Sequence, residues 1–134
     1  MKKQKDKVKI LILDDNERDL KLLESMLFQL GFQDVMKSKR GAEALELAKT
    51  QHPNLIFLDI IMPGIDGGAV REALKEKAET KNIPTIFLSS IISKEEEKRI
   101  GRLAGGESIL AKPYSSEELQ KVIDKALESV DGEK

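Results

Sequence analysis

Five short apolar runs recur along the chain, and they are rich in isoleucine, valine and leucine. The clearest is LIFL at residues 55–58, in which no polar residue interrupts the run. Runs of this kind are typical of strands that are buried on both faces, as in a parallel sheet covered by helices. We therefore predict five strands, at residues 8–13, 34–37, 55–58, 85–88 and 108–110.

The stretches between these runs carry apolar residues at helical spacing. The first predicted helix has Asn16 as its N-cap and ends at Gly31, because glycine suits the position just after a helix. The fourth and fifth predicted helices open with capping boxes, in which a glutamate follows a serine after three residues. The boxes are Ser93 with Glu96 and Ser115 with Glu118. The apolar positions are Leu20, Leu23, Leu27 and Leu30 in the first predicted helix, Ala44, Leu45, Leu47 and Ala48 in the second, and Val70, Ala73 and Leu74 in the third.

Strand and helix alternate five times, with no internal linker, low-complexity tract or repeat between them. Right-handed crossovers then place helices on both faces of a parallel sheet. The sequence therefore predicts a doubly wound α/β fold with five parallel strands in the order 2-1-3-4-5, flanked by five helices. We expect this domain to span residues 8–130, between a basic disordered leader at 1–7 and a tail at 131–134.

The composition limits the classes of function open to this chain. Its 134 residues are 40% hydrophobic and 35% charged, a balance typical of a folded globular domain. A formal net charge of −1 creates no long-range field, so we expect no direct binding to nucleic acid or to a membrane. Cysteine is absent and no apolar run reaches the length of a signal peptide core or a membrane span, so we expect a cytoplasmic protein.

Acidic, hydroxyl and basic side chains follow four of the five predicted strands at their carboxyl ends. The residues are Asp14 and Asp15 after the first strand, Asp59 after the third, Ser89 after the fourth and Lys112 after the fifth. Ligands of doubly wound sheets collect where the strand order reverses, so the three carboxylates should cluster between strands one and three. Such a cluster repels itself unless it holds protons or binds a cation, and an all-oxygen set suits Mg²⁺ better than zinc. With Lys112 as a fixed positive charge, the cleft could accept a phosphoryl group.

Four segments of the chain resemble the receiver domains of bacterial two-component response regulators, including the chemotaxis regulators. The resemblance covers essentially the whole chain after the basic leader, and the order and spacing of the four segments are highly specific. It implies the flavodoxin-like form of the doubly wound fold. The segments are ILILDD at residues 10–15, DIIMPGIDG at 59–67, IP at 83–84 leading to Ser89, and AKPY at 111–114.

The resemblance implies a phosphoacceptor signalling module. Asp59 would attack the phosphorus of a phosphohistidine on a sensor histidine kinase or a histidine phosphotransfer protein, and an acyl phosphate would form. Asp15, Asp59 and the main-chain oxygen of Ile61 would bind Mg²⁺, with Asp14 reaching the ion through water. The module would then change its surface for a partner or an output domain. It would not be an enzyme apart from self-catalysed transfer to Asp59 and slow autodephosphorylation.

Two further residues take roles from the same resemblance. Ser89 matches the hydroxyl that turns inward to hydrogen-bond the phosphoryl group. Lys112 matches the lysine that pairs with a phosphoryl oxygen, and its bond to Pro113 is expected to be a cis peptide.

The chain departs from the family pattern at apolar positions near the site. Ile109 occupies a position that often holds an aromatic switch residue, and a β-branched side chain cannot swing a ring between pocket and solvent. Ile61 and Ile91 occupy positions that influence how water reaches the phosphoryl group, and neither can position an attacking water, so we expect slow self-dephosphorylation. Ile91 and Ile92, if exposed, would favour binding of a partner or a homodimer through the predicted helix 4, strand 5 and helix 5.

Three other functions remain as alternatives. A haloacid dehalogenase-type phosphatase would place its nucleophile after strand one in an Asp-x-Asp pattern, whereas this chain has Asp14-Asp15-Asn16 there. A nucleotide- or flavin-binding module would need a glycine-rich or hydroxyl-rich loop after strand one. The third alternative is a receiver fold that cannot be phosphorylated and serves as a scaffold for protein–protein interaction.

Overall fold

A computed structural model describes residues 5–59, 67–89 and 108–131 of the chain. In these ranges it has five strands, four α-helices and a short 3-10 helix, Lys5–Lys7. The elements are β1 (Lys9–Leu13), α1 (Glu17–Gln29), β2 (Asp34–Ser38), α2 (Gly41–Gln51), β3 (Leu55–Asp59), α3 (Gly67–Lys75), β4 (Thr85–Ser89), β5 (Ser108–Ala111) and α4 (Ser116–Asp131). The last helix, α4, is the fifth helix predicted from the sequence. The fourth predicted helix, with Ser93 and Glu96, lies outside the described residues.

The strands form one parallel sheet in the order β2-β1-β3-β4-β5, which confirms the predicted order. Leu13 pairs with Ser38 on one side and with Leu58 on the other. Asp59 pairs with Leu88 at the same edge. This register brings the carboxyl ends of the strands to one level, so residues at the ends of β1, β3, β4 and β5 become neighbours.

Successive residues of the central strands enter two separate hydrophobic cores, one on each face of the sheet. Ile10 and Ile12 face the core that α1 and α4 cover, whereas Leu11 and Leu13 face the core that α2 and α3 cover. All four side chains are fully buried, which explains why the strands have no polar alternation. The covering residues include Leu20, Leu23, Leu27, Leu119 and Ile123 on the first face and Ala44, Ala48, Val70 and Leu74 on the second. None of the described helices is both long and apolar enough to cross a membrane.

Three predicted helix ends are confirmed by backbone and side-chain geometry. The Asn16 side chain accepts a hydrogen bond from the Asp19 amide at 3.1 Å and caps the start of α1. The glycine after that helix, Gly31, has φ +104°, a left-handed conformation that residues with a Cβ rarely adopt. At the start of α4, the Glu118 amide donates to Ser115 Oγ at 3.1 Å and the Ser115 amide donates to the Glu118 carboxylate at 2.9 Å.

Lys5, in the basic leader, contacts the folded domain. Lys5 Nζ donates a hydrogen bond to the Leu30 carbonyl at 2.7 Å and another to Gln120 Oε1 at 3.0 Å. The same ammonium lies 5.3 Å from the centre of the Phe32 ring, within cation–π distance. The sequence pattern missed these contacts because the Leu30 carbonyl, at the C-cap of α1, lies 25 residues away from Lys5 along the chain.

Candidate functional site

Four strands deliver chemically active side chains to the carboxyl edge of the sheet. Asp14 follows β1 directly, and Asp59 and Ser89 are the last residues of β3 and β4. Lys112 follows β5, and its amide donates to the Ser89 carbonyl at 2.8 Å. Because the strands are parallel and in register, side chains from distant parts of the sequence meet at this edge.

Asp14, Asp15 and Asp59 form an acidic cluster, in which one carboxylate oxygen from each lies within 4.8 Å of the others. Their accessibilities differ: Asp14 is 1% exposed, Asp59 is partly buried and Asp15 is exposed. Asp14 is also held from two directions, since its Oδ1 accepts from the Asn16 amide at 3.0 Å and its own amide donates to the Ser38 carbonyl at 3.1 Å. Asp14 is therefore the buried, hydrogen-bonded member of the cluster, and Asp15 and Asp59 are its more accessible members.

Lys112 supplies the positive charge that the sequence predicted beside the acidic cluster. Its Nζ donates to Asp14 Oδ2 at 2.9 Å and lies 3.6 Å from Asp59 Oδ2. The bond between Lys112 and Pro113 is cis, as expected. The ammonium thus joins two members of the cluster.

The charge of Lys112 is stabilised by its surroundings. Burial is the largest single influence on the pKa of Lys112 and lowers it. Hydrogen bonds to Asp19 and Asp14, together with the charge of Asp59, act in the opposite direction and outweigh burial. The pKa of Lys112 is therefore raised above its ordinary value of 10.5, and the side chain is a cation at neutral pH.

A fourth carboxylate, which the sequence reasoning missed, also binds Lys112. Asp19, in the first turn of α1, accepts a hydrogen bond from Lys112 Nζ at 2.9 Å. The available signal was its position three residues after the N-cap Asn16, where an acidic residue favours the helix start. Its role at the helix start already accounted for an acidic residue at this position, so the sequence offered no reason to expect a contact with Lys112, 93 positions away.

The acidic cluster fits a magnesium ion by ligand type and spacing. Mg²⁺ prefers oxygen ligands at about 2.0–2.1 Å, so two opposite ligands of one ion are roughly 4.2 Å apart. The three oxygen atoms lie within 4.8 Å of one another, which is close enough for them to surround one ion. Neighbouring ligands of an octahedral ion are only roughly 2.9 Å apart, so the carboxylates would close in on the ion when it binds. The predicted main-chain ligand, the Ile61 oxygen, lies outside the described residues.

The remaining residues singled out from the sequence lie around this cluster. Ser89 is 3% exposed at the end of β4, one residue beyond the partner of Asp59 in the sheet register. Ile109 is half-buried and packs against the core on the α2 and α3 face. Tyr114 is also half-buried, but it packs against the opposite core, and burial raises its pKa to about 12. Ile91 and Ile92 lie outside the described residues.

A groove of about 370 Å³ opens beside the cluster, between α1 and the segment after β5. We call it the α1–β5 groove. Its apolar wall includes Leu22, which is 57% exposed. Its polar end holds Asp19 and Lys112, so the groove leads directly to the acidic cluster. The other lining residues are Met26, Pro113 and Tyr114.

Comparisons with known proteins agree with this geometry. A family model for the response regulator receiver domain matches residues 10–124. The polar-differentiation response regulator DivK of Brucella ovis is 36% identical over 106 residues, which are 79% of this chain and 85% of that protein. The protein named Probable transcriptional regulator ycf27 of Porphyridium aerugineum is 35% identical over 125 residues. These residues are 93% of this chain but only 50% of that protein, so this chain spans about half the length of that relative.

Solved structures support the same fold. The receiver domain of a sensor histidine kinase from Pseudomonas aeruginosa superposes with a TM-score of 0.80 and 26% identity, covering 90% of this chain and 98% of that chain. That structure has a magnesium ion coordinated in its active site cleft.

Proposed function

The chain belongs to the response regulator receiver domain family, whose members are phosphoacceptor signalling modules, and from that premise we propose that Asp59 receives the phosphoryl group. The observation that carries this assignment is the position of Asp59 in a three-carboxylate cluster, with a lysine ammonium 3.6 Å from its Oδ2. Because residues 10–124 match the receiver domain family, we set aside the haloacid dehalogenase-type phosphatase and the nucleotide- or flavin-binding module.

In the proposed step, a carboxylate oxygen of Asp59 attacks the phosphorus of a phosphohistidine. An oxygen–phosphorus bond forms as the phosphorus–nitrogen bond breaks, and the bonding electron pair stays on the imidazole nitrogen, which takes up a proton. The products are an acyl phosphate on Asp59 and a neutral histidine on the donor. Apart from this transfer and the later hydrolysis of the acyl phosphate, we assign the chain no enzymatic activity.

The remaining site residues position and neutralise charge in this step. Lys112, which lies beside Asp59, pairs with a phosphoryl oxygen. Ser89, buried at the end of the neighbouring strand, donates its hydroxyl hydrogen to the phosphoryl group. Asp15, Asp59 and the Ile61 main-chain oxygen would hold Mg²⁺, and Asp14 would reach it through water. When bound, the ion neutralises charge on the phosphoryl oxygens.

Incubation with acetyl phosphate and Mg²⁺, followed by intact-mass measurement, tests the acceptor. We expect wild type to gain one phosphoryl mass, Asp59→Asn to gain none, and a chelator to abolish the gain. Asp34→Asn is the matched control, because Asp34 is an exposed aspartate at the start of β2, at the opposite edge of the sheet. An unmodified wild type would favour the scaffold alternative, and a modified Asp59→Asn would assign the phosphoryl group elsewhere.

We further propose that the α1–β5 groove binds the phosphohistidine donor, a sensor histidine kinase or a histidine phosphotransfer protein. The donor must bring its histidine to Asp59, and this groove leads from an exposed leucine to the lysine beside Asp59. An apolar wall with a charged end fits an amphipathic helix that presents apolar side chains beside its phosphohistidine. A cytoplasmic location belongs to the same proposal, because ATP-dependent kinases would supply the donor.

Two exposed hydrophobic residues of α1 allow a matched test of the donor site. Leu22 lines the groove, whereas Phe28, which is 48% exposed on the same helix, does not. We expect Leu22→Ser to slow transfer from a phosphohistidine protein while leaving acetyl phosphate labelling unchanged, and Phe28→Ser to change neither. Equal effects of the two substitutions on transfer would place the donor elsewhere.

Slow hydrolysis of the acyl phosphate and a homodimer remain proposals that rest on the sequence. Ile61 and Ile91 cannot position an attacking water, so replacing both with polar residues should speed the decay of phosphorylated Asp59. Unchanged decay would contradict this.

The proposed dimer would use the surface of the predicted helix 4, strand 5 and helix 5. Sedimentation of the phosphorylated chain tests the dimer, since a purely monomeric profile would exclude it.

A further inference from the structure

Lys112 has two hydrogen-bonded carboxylates, but neither belongs to Asp59. Its Nζ lies 2.9 Å from both Asp14 Oδ2 and Asp19 Oδ2, and 3.6 Å from Asp59 Oδ2. A lysine ammonium has three donors in total. Two of these donors are used here, and a phosphoryl oxygen on Asp59 would compete with both carboxylates for the ammonium.

The two short contacts differ in what their loss would cost. Asp14 is 1% exposed, so releasing it would leave a buried carboxylate without its cation. The Asp19 side chain is 36% exposed, so water can replace the ammonium there. Asp19 is therefore the contact that Lys112 can release.

Asp19 is also held where it can act on Lys112 from outside the acidic cluster. Its amide donates to the N-cap side chain of Asn16, which fixes its backbone in the first turn of α1. Its carboxylate forms part of the α1–β5 groove, beside Leu22 and Tyr114. The pair with Lys112 thus ties the first turn of α1 to the segment after β5.

We propose that Asp19 is a positioning residue that competes with the phosphoryl group on Asp59 for Lys112. In the unphosphorylated chain, Asp19 holds the ammonium on the α1 side of the site. On phosphorylation, Lys112 exchanges Asp19 for a phosphoryl oxygen and keeps Asp14. Asp19 thereby lowers the stability of the phosphorylated state and leaves its own carboxylate free in the groove. This inference rests on the proposed role of Asp59.

Asp19→Asn removes the competing charge and keeps the shape of the side chain. With acetyl phosphate and Mg²⁺, we expect its initial rate of phosphorylation to rise by roughly threefold to fivefold, the upper part of the range for a partly exposed ion pair. Its apparent affinity for beryllofluoride, a phosphoryl mimic, should rise by a similar factor. Asp19→Glu, which keeps the charge, should behave closer to wild type.

Glu17→Gln is the matched control for net charge and for the helix end. Glu17 is an acid in the same first turn, but it pairs with Lys39 at 2.7 Å and has no contact with Lys112 among the described residues. We expect it to match wild type in both assays. Equal behaviour of Asp19→Asn and Glu17→Gln, or a slower Asp19→Asn, would overturn the proposal. If wild type itself takes up no phosphoryl group, the role of Asp59 fails instead.

A second measurement uses only the wild-type chain and does not depend on how a variant folds. In a crystal structure with Mg²⁺ and beryllofluoride bound, we expect Lys112 Nζ to contact the fluoride and Asp14 and to have left Asp19. Retention of the 2.9 Å contact to Asp19 would overturn the proposal.

Discussion

Replacing Lys112 with methionine should destabilise the domain, because it removes the cation from three surrounding carboxylates while keeping most of the apolar stem. The most affected is Asp14, whose Oδ2 is 2.9 Å from Lys112 Nζ and whose side chain is 1% exposed. Asp19 and Asp59 are more accessible and can be hydrated. The loss is therefore dominated by one buried carboxylate.

The magnitude follows from that burial. Truncating one partner of a fully buried ion pair costs about 3–5 kcal/mol. Lys112 is 17% exposed and water can reach part of the site, so we expect a loss of about 2–3 kcal/mol in the free energy of unfolding. A domain has about 5–15 kcal/mol in total, so the variant should fold but be clearly weakened.

Urea unfolding followed by far-UV circular dichroism measures this loss. With a slope of about 2 kcal/mol per molar urea, the midpoint should fall by about 1–1.5 M. Added Mg²⁺ should restore part of the stability, because a bound cation compensates the same carboxylates. Adding Mg²⁺ to wild type sets the reference for that gain.

The control is Lys39→Met, which breaks a shorter ion pair. Lys39 Nζ lies 2.7 Å from Glu17, but both side chains are at least half exposed. Exposed pairs contribute little, so the midpoint should stay near wild type. A Lys112→Met midpoint equal to that of Lys39→Met would refute the reasoning, because Asp14 would then not depend on the ammonium.

Three further predictions concern titration and helix ends. Tyr114 is the only tyrosine, so ultraviolet absorbance should report its ionisation near pH 12. Because burial raises the pKa of Tyr114 above 10, the free energy of unfolding should fall as the pH rises from 10 to 12. An ionisation midpoint near pH 10 in the folded protein would contradict the burial of Tyr114. Asn16→Ala should cost about 1 kcal/mol in urea unfolding by removing the cap on the Asp19 amide, and Asn16→Asp, which retains a cap, should cost less. Gly31→Ala should cost about 1–2 kcal/mol in the same assay, because residue 31 has φ +104° and the added Cβ would lie 3.2 Å from Lys5 Cδ. An unchanged urea midpoint would show that the turn tolerates a side chain.

Most of the fold could be predicted from local patterns. The runs of apolar residues located all five strands, and capping residues at Asn16 and Ser115 located two helix starts. The strands β2 to β5 each continue one residue beyond the predicted end, through Ser38, Asp59, Ser89 and Ala111. Strand pairing depends on backbone hydrogen bonds, so a polar side chain does not end a strand where the apolar run stops.

The candidate site was predictable in its parts but not in its connections. The sequence alone determined which side chains follow the strands, because Asp14, Asp59 and Lys112 end or follow apolar runs whose order along the chain is visible. Tertiary structure decided that Lys112 pairs with Asp14 and Asp19 at 2.9 Å and lies farther from Asp59. Periodicity records only neighbours along the chain, whereas an ion pair across 93 residues depends on how α1 and β5 come together in space.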